Sequence, residues 1–345
     1  MSRQPLAAKV GKASGLAQGL GPLLSRATGT GTFLMLVVFL VVVRLDSPHY
    51  WSGANLRAIL LATAIPVILG ITQLVVILAG NFDISIGSTL GLSAMSVGFI
   101  YRANPGMPPA VAFLLGLGIG AAVGVCVGFL VAYIRIPSIV LTLGAASIIA
   151  GITYLVAGGR EVDPEFIPNS FIAVSTSPAG VPGIVIIAFG VVLLILMGLR
   201  WTRFGRTIYA VGSNTEAARL QGLPVRRVEI ATFVLSGAGA GLAGAVYLSQ
   251  YHLVNLFSGS GQGFQAITIV IVGGASIAGG AGSAGATFLS ALLIVAMGNG
   301  LAVLGLSSYW QDTALGALLL AAVALNRQSR KVQDAHNLIR PELQL

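Results

Sequence analysis

Residues 210–229 read AVGSNTEAARLQGLPVRRVE. Between Arg200 and Arg227 the chain places six arginines and one acid, Glu216, and both flanks are long apolar runs. A polar island of this kind sets the topology, because positive charge resists translocation and marks the loops that stay on the cytoplasmic side. The island also carries its own local structure. Ser213 and Glu216 have capping-box spacing, Ala217 to Gln221 are good helix formers, Gly222 suits a left-handed C-terminal position, and Pro224 prevents continuation. The signals predict a helix of about two turns over 214–222. Alone in water so short a helix is marginal, so it must lie against something: a partner protein, or anionic lipid held by its arginines.

The surrounding composition agrees. Of 345 residues 56% are hydrophobic, 8% are charged and 46 are glycine, against roughly 25% charged in soluble domains. Runs of about 20 apolar residues point to membrane-spanning helices. Ten segments are expected, near 30–46, 56–80, 85–102, 109–133, 138–157, 183–199, 228–251, 265–281, 284–305 and 308–326. The expected fold is an all-α, polytopic integral membrane helical bundle of about ten transmembrane helices, with eight plus re-entrant segments as the alternative. The chain divides into an N-terminal tail (1–30), a transmembrane domain (31–326) with the polar loop 200–227, and a C-terminal tail (327–345).

The net charge of +9 and pI near 10.2 are a topology signal, so no nucleic-acid partner is expected. Arg3, Lys9, Lys12 and Arg26 lie in the N-terminal tail, and Arg327, Arg330, Lys331 and Arg340 in the C-terminal tail. With the N-terminus inside, ten spans put both tails and the 200–227 loop on the cytoplasmic side. The segment around Arg160, with Glu161, Asp163 and Glu165, falls outside. The single cysteine, Cys126, excludes an intrachain disulfide. His49, His252 and His336 have no second ligand at metal spacing, so no metal is expected.

Within the spans, Gly116, Gly120, Gly124 and Gly128 repeat every four residues, as do Gly237 and Gly241. Small residues at that spacing let two helix backbones approach closely. The stretch VVILAGNFDISIGSTLG (75–91) also echoes IVIVGGASIAGGAGSAG (269–285): a β-branched run, a glycine, a short break, a Gly-Ser pair and a new span. Related halves with broken helices near the substrate path are common in transporters.

Few residues offer chemistry. Asp83 and Asp312 are the acids nearest the apolar segments, and an intramembrane acid is a functional candidate by default. Asp83, in the break after Gly80, equally suits capping of the following helix, and Asp312 suits an interfacial position beside Trp310 and Gln311. No G-x-S-x-G or H-E-x-x-H pattern occurs. A P-loop needs lysine followed by Ser or Thr, whereas the three lysines precede Val10, Ala13 and Val332. No cofactor is expected on this chain, and ATP-driven work would come from a separate subunit.

Three stretches carry a resemblance: GNFDISIGS (80–88), AVGSNTEAARLQGLPVRRV (210–228) and AITIVIVGGASIAGGAGSAGATFLSALLIVAMGNGLAVLGLSSYWQ (266–311). In order and spacing, from about residue 50 to 326, they resemble the permease subunits of ribose/arabinose/xylose-type sugar ABC importers, and EAARLQG (216–222) resembles the start of the EAA signature of such permeases. The first stretch departs from the family pattern at Asn81-Phe82 and keeps Asp83 and Ser85. The resemblance implies a multi-pass permease of the bacterial inner membrane, translocating a pentose, hexose or related polyol. It implies a homodimer or a pair with a sister permease, a cytoplasmic ATP-binding cassette subunit, a periplasmic sugar-binding protein, and lipid around the bundle. Ser213, Glu216, Ala217, Ala218, Arg219 and Gly222 are then expected to couple to the ATPase. Asn81, Phe82, Asp83, Ser85, Asn299 and Asp312 are expected on the translocation path or its gate. The rival class is a stand-alone secondary transporter or channel, which calls for buried charged pairs in mid-span.

Overall fold

The computed structural model describes residues 34–41, 43–44, 48–176, 180–307, 309–320 and 323. Both expected tails lie outside these residues. Eleven helices follow in order: α1 (Gly53–Leu78), α2 (Ile86–Ala103), α3 (Pro109–Ile134), α4 (Ser138–Ala157), α5 (Asn169–Thr176), α6 (Gly183–Trp201), α7 (Arg203–Ser213), α8 (Thr215–Leu220), α9 (Val225–Tyr251), α10 (Gln262–Val272) and α11 (Ala284–Val303). Residues 34–41 and 309–320 are helical as well. Among the described residues the one extended pairing is an antiparallel bridge between Val162 and Val254. It pins the loop after α4 to the loop after α9.

Helix α1 is the centre of the bundle. Every residue from Thr63 to Leu78 is buried, as a helix that is apolar all round requires. Ser52 starts it by accepting from the Asn55 N–H at 3.3 Å. Pro66 sits inside it and removes one donor from its backbone ladder. Around it, α3, α4 and α6 bury a narrow stripe and turn large apolar side chains outward, among them Leu114, Phe129, Val140, Ile148, Leu155, Ile186 and Leu194. That surface suits hydrocarbon as its solvent. Several buried hydroxyls are satisfied within their own helices: Thr72 donates to the Ile68 carbonyl (2.9 Å), Thr153 to Ile149 (2.9 Å), Thr268 to Phe264 (2.8 Å) and Ser290 to Ala286 (3.0 Å).

The glycine repeats form the tightest seam in the fold. A Cβ on Gly120 would collide with the Gly237 carbonyl, one on Gly124 with the Phe233 carbonyl, and one on Gly241 with the Gly116 carbonyl. Helices α3 and α9 therefore meet backbone to backbone, and Ser93 of α2 donates to the Gly241 carbonyl across the seam at 2.7 Å.

Among the described residues six helices are long and apolar enough to cross a membrane: α1, α3, α4, α6, α9 and α11. Two expectations need correction. The segment 265–281 is not one span: α10 stops at Val272 after 11 residues, and Gly274, Gly279 and Gly280 take φ of +82°, +87° and +72°, a conformation in which the chain turns away from a helix. The loop 200–227 holds two helices rather than one, because Arg203–Ser213 forms α7, started by Thr202 accepting from the Gly205 N–H at 3.0 Å, and α9 begins at Val225.

Candidate functional site

The first element of the site is the break between α1 and α2. After Leu78, Gly80 takes φ +84° and the Asn81 N–H turns back to the Val76 carbonyl at 3.1 Å. Asp83 is buried. Its Oδ1 accepts from the Ser85 N–H at 3.0 Å and the Ser85 hydroxyl at 2.6 Å, and its Oδ2 accepts from the Ser236 hydroxyl of α9 at 2.8 Å. The Gln73 amide, oriented to satisfy both backbone groups of Asp83, donates to its carbonyl at 3.2 Å and accepts from its N–H at 3.1 Å. From α4 the Ser138 hydroxyl accepts from the Phe82 N–H at 3.0 Å. Asp83 therefore braces the turn that leads into α2, whose N-cap is Ser85, and also ties the break to α9, while Gln73 and Ser138 tie it to α1 and α4. Breaking such a network leaves buried polar groups unpaired, at about 1–3 kcal/mol each.

The sequence echo becomes a contact. The second break, residues 273–283, reaches the first: the Gly280 N–H donates to the Leu78 carbonyl at 2.9 Å. The end of α7 is seated on the same spot. A Cβ on Gly212 would collide with that Leu78 carbonyl and approach the Gly280 nitrogen to 2.8 Å, and a Cβ on Gly280 would come within 2.6 Å of the Ser213 Cα. Tyr209 of α7 donates its hydroxyl to the Gly282 carbonyl at 3.0 Å. Three backbone segments thus share one junction, and only glycine lets them close.

From the junction the chain runs directly into α8. Its cap is Asn214 rather than Ser213: the Asn214 side chain accepts from the Ala217 N–H at 2.9 Å. Ser213 is still helical as the last residue of α7, and its hydroxyl donates to the Ala210 carbonyl at 2.9 Å. Glu216 does not reach back to a cap. It lies 3.9 Å from Arg219 with both side chains exposed, a pairing of little energetic weight. The end of α8 is as read: Gly222 has φ +77°, and the Leu223 N–H reaches the Ala218 carbonyl at 3.0 Å while the Gly222 N–H reaches Arg219 at 3.0 Å, the Schellman pattern. Ala218 faces the core, and Leu220 is 81% exposed at the tip. This leucine ends the six-residue helix with almost none of its side chain covered by the chain.

Two clefts lie at opposite ends of the bundle. One, of about 490 Å³, is lined by Asn81, Phe82, Arg135, Thr215, Arg219, Arg226 and Glu229 among others, so it joins the first break to α8. The other, also about 490 Å³, lies at the opposite end of α9 beside Tyr247 and Tyr251, and it brings together Asn299 and Asp312. The expected path residues therefore divide: Asn81 and Phe82 line the first cleft, Asn299 and Asp312 the second, and Asp83 and Ser85 are buried between them, with Asp83 bonded to Ser236 near the middle of α9. Asn299 and Asn55 exchange amide hydrogen bonds at 3.0 Å in both directions, which clamps α11 to α1. Asp312 is exposed. Gly212 and the group Arg135, Arg226 and Glu229 had no signal in the sequence, because each draws its meaning from residues distant in the chain. Among the described residues no group of three His, Cys, Asp or Glu side chains gathers to hold a metal.

A helical bundle with broken segments, an outward apolar surface and a polar loop seated on both breaks is the architecture of a membrane permease. The chain belongs to the family described as the permease component of branched-chain amino acid transport systems, whose model matches residues 55–323. It is 35% identical over 305 residues to the Autoinducer 2 import system permease protein LsrC of Enterobacter sp. (strain 638), covering 88% of this chain and 87% of that one. It is 33% identical over 303 residues to the Ribose import permease protein RbsC of Escherichia coli (strain K12), covering 87% and 94%. The Fructose import permease protein FrcC of Rhizobium meliloti is 33% identical over 307 residues, covering 87% and 84%. No solved structure matches the chain.

Proposed function

We propose that this chain is the inner-membrane permease of an ATP-driven importer, and that it translocates a monosaccharide or related polyol delivered by a periplasmic binding protein. The relatives named for ribose, fructose and autoinducer 2 import favour a sugar-like cargo over an amino acid. One observation carries the mechanism: the α7 end at Gly212 and Ser213 meets both helix breaks backbone to backbone. A cytoplasmic ATPase gripping α8 through Leu220, Glu216 and Arg219 would move α7 directly, and α7 cannot move without shifting Leu78 and Gly280. ATP binding then favours one of two packings of the bundle, and the permease supplies the differential contacts rather than bond chemistry.

The grouping of helix ends supports ten crossings with both termini inside. The loops after α4 and α9 meet at the Val162–Val254 bridge, whereas the end of α3, the starts of α4 and α9, and α8 all line the Arg219 cleft. In this reading α10 and the turn-rich 273–283 stretch make one broken crossing. A second permease copy, identical or a sister, completes the transporter. The test is reconstitution with the ATPase and binding protein: Glu216→Lys and Gly222→Asp should separate ATP hydrolysis from uptake while the chain still inserts. Normal coupled uptake in both, or uptake by the chain alone on a proton gradient, refutes the proposal.

A further inference from the structure

The cleft beside Tyr251 has a chemistry that the coupling mechanism does not use. Building on the importer reading, we infer that it is a binding site, within one protomer, for a neutral polyhydroxylated solute. Its polar wall consists of the amides of Gln262, Gln265, Asn299 and Gln311, with the Asp312 carboxylate and the Tyr251 phenol. Its described lining contains no lysine, arginine or histidine, so an anionic solute finds no counter-charge. A primary amide both donates and accepts, as each hydroxyl of a polyol does. Asn299 is already committed to Asn55 and serves as a fixed wall.

The backbone adds a carbonyl acceptor to the amide wall. Pro66 has no N–H, so the carbonyl four residues earlier, that of Ala62, receives no helical bond from it; Ala62 and Pro66 both line the cleft. Ile65, Ile294 and Leu315 supply an apolar side for the C–H face of a sugar ring, next to the half-exposed ring of Tyr251. A volume of about 490 Å³ lies within the usual range for small-molecule sites, about 300–1,000 Å³. Access from the Tyr251 end suits a solute arriving from outside and held before the gate near Asp83 opens.

The experiment replaces the native cysteine (Cys126→Ala) and places a reporter in the cleft by Ala62→Cys or, separately, Ala302→Cys. The full-length chain in right-side-out membrane vesicles is labelled with a membrane-impermeant thiosulfonate. D-ribose, D-fructose and ribose 5-phosphate are added in turn at millimolar concentration. At least one neutral sugar should slow labelling at both reporters about fivefold, the drop expected when about four-fifths of sites are filled. Ribose 5-phosphate should not, and Gln262→Leu with Gln265→Leu should abolish the protection while labelling without sugar persists. No labelling, no protection by either neutral sugar, equal protection by ribose 5-phosphate, or protection surviving the double substitution each overturns the assignment. The assay needs neither ATP nor partner subunits, so its failure is distinct from a failure of the coupling tests.

Discussion

Replacing Gly212 by alanine tests the junction at its narrowest point. The new methyl would sit on the Leu78 carbonyl and beside the Gly280 nitrogen, the two groups that form the 2.9 Å hydrogen bond between the breaks. Two escapes are open. Either the bond opens, orphaning a donor and an acceptor at about 1–3 kcal/mol each, or α7 lifts away and loses its packing, at about 1–3 kcal/mol for an overpacked site. The cheaper route sets the cost, near 2 kcal/mol, which is a factor of about thirty in the balance between bundle states. The assay is the number of ATP molecules hydrolysed per solute imported in proteoliposomes, with assembly checked by co-purification of the ATPase. Uptake should fall at least about tenfold with the complex still assembled. Gly190→Ala, where a Cβ meets nothing within 4 Å, is the control and should be silent. If Gly212→Ala and the bulkier Gly212→Val both import solute at the normal ATP cost, the junction does not transmit work.

Other substitutions probe other parts. On α3, Gly120→Ala should lower thermal stability by about 1–3 kcal/mol, whereas Gly118→Ala, two residues along and facing open space, should be neutral or gain up to about 1 kcal/mol from helix propensity; equal melting temperatures would dissolve the seam. Asp83→Ala strands the Ser85 and Ser236 hydroxyls and should destabilise by about 1–3 kcal/mol, read by thermal unfolding in detergent. Asp83→Asn keeps the shape, so unchanged transport in that variant would reduce the carboxylate to a helix cap. Asn214→Ala removes the α8 cap, worth about 1 kcal/mol, and should weaken ATPase recruitment measured by pull-down; full recruitment would show that the ATPase itself holds the helix.

How far the sequence could be read depended on whether a feature was local. The end of α8 was legible because Gly222 and Pro224 act on their own backbone. Its start was off by one, since Ser213 and Asn214 are both good caps and the choice is made by α7, whose arginines and glycines read as loop. The α3–α9 seam was legible from a four-residue repeat on each helix. The division of 265–281 was not, because its apolar residues continue past Val272 and only the backbone angles at Gly274, Gly279 and Gly280 reveal the stop. Asp83 was found by its rarity, but its partners Gln73 and Ser236 lie 10 and 153 positions away, and nothing in the pattern of either announces the link.

The seam between α3 and α9 has a mechanical meaning. Contacts between bare backbones contain no rotamers to rearrange, so the pair has no cheap way to yield. Dispersion also decays steeply, and a gap of 0.5–1 Å already forfeits roughly a quarter to a half of each atomic contact. The two helices therefore behave as a single stiff plank running the depth of the bundle. Spin labels on their outer faces should report one unchanging distance through the transport cycle. Any opening must then fall along other borders of the bundle, and the plank is the frame against which the remaining helices swing.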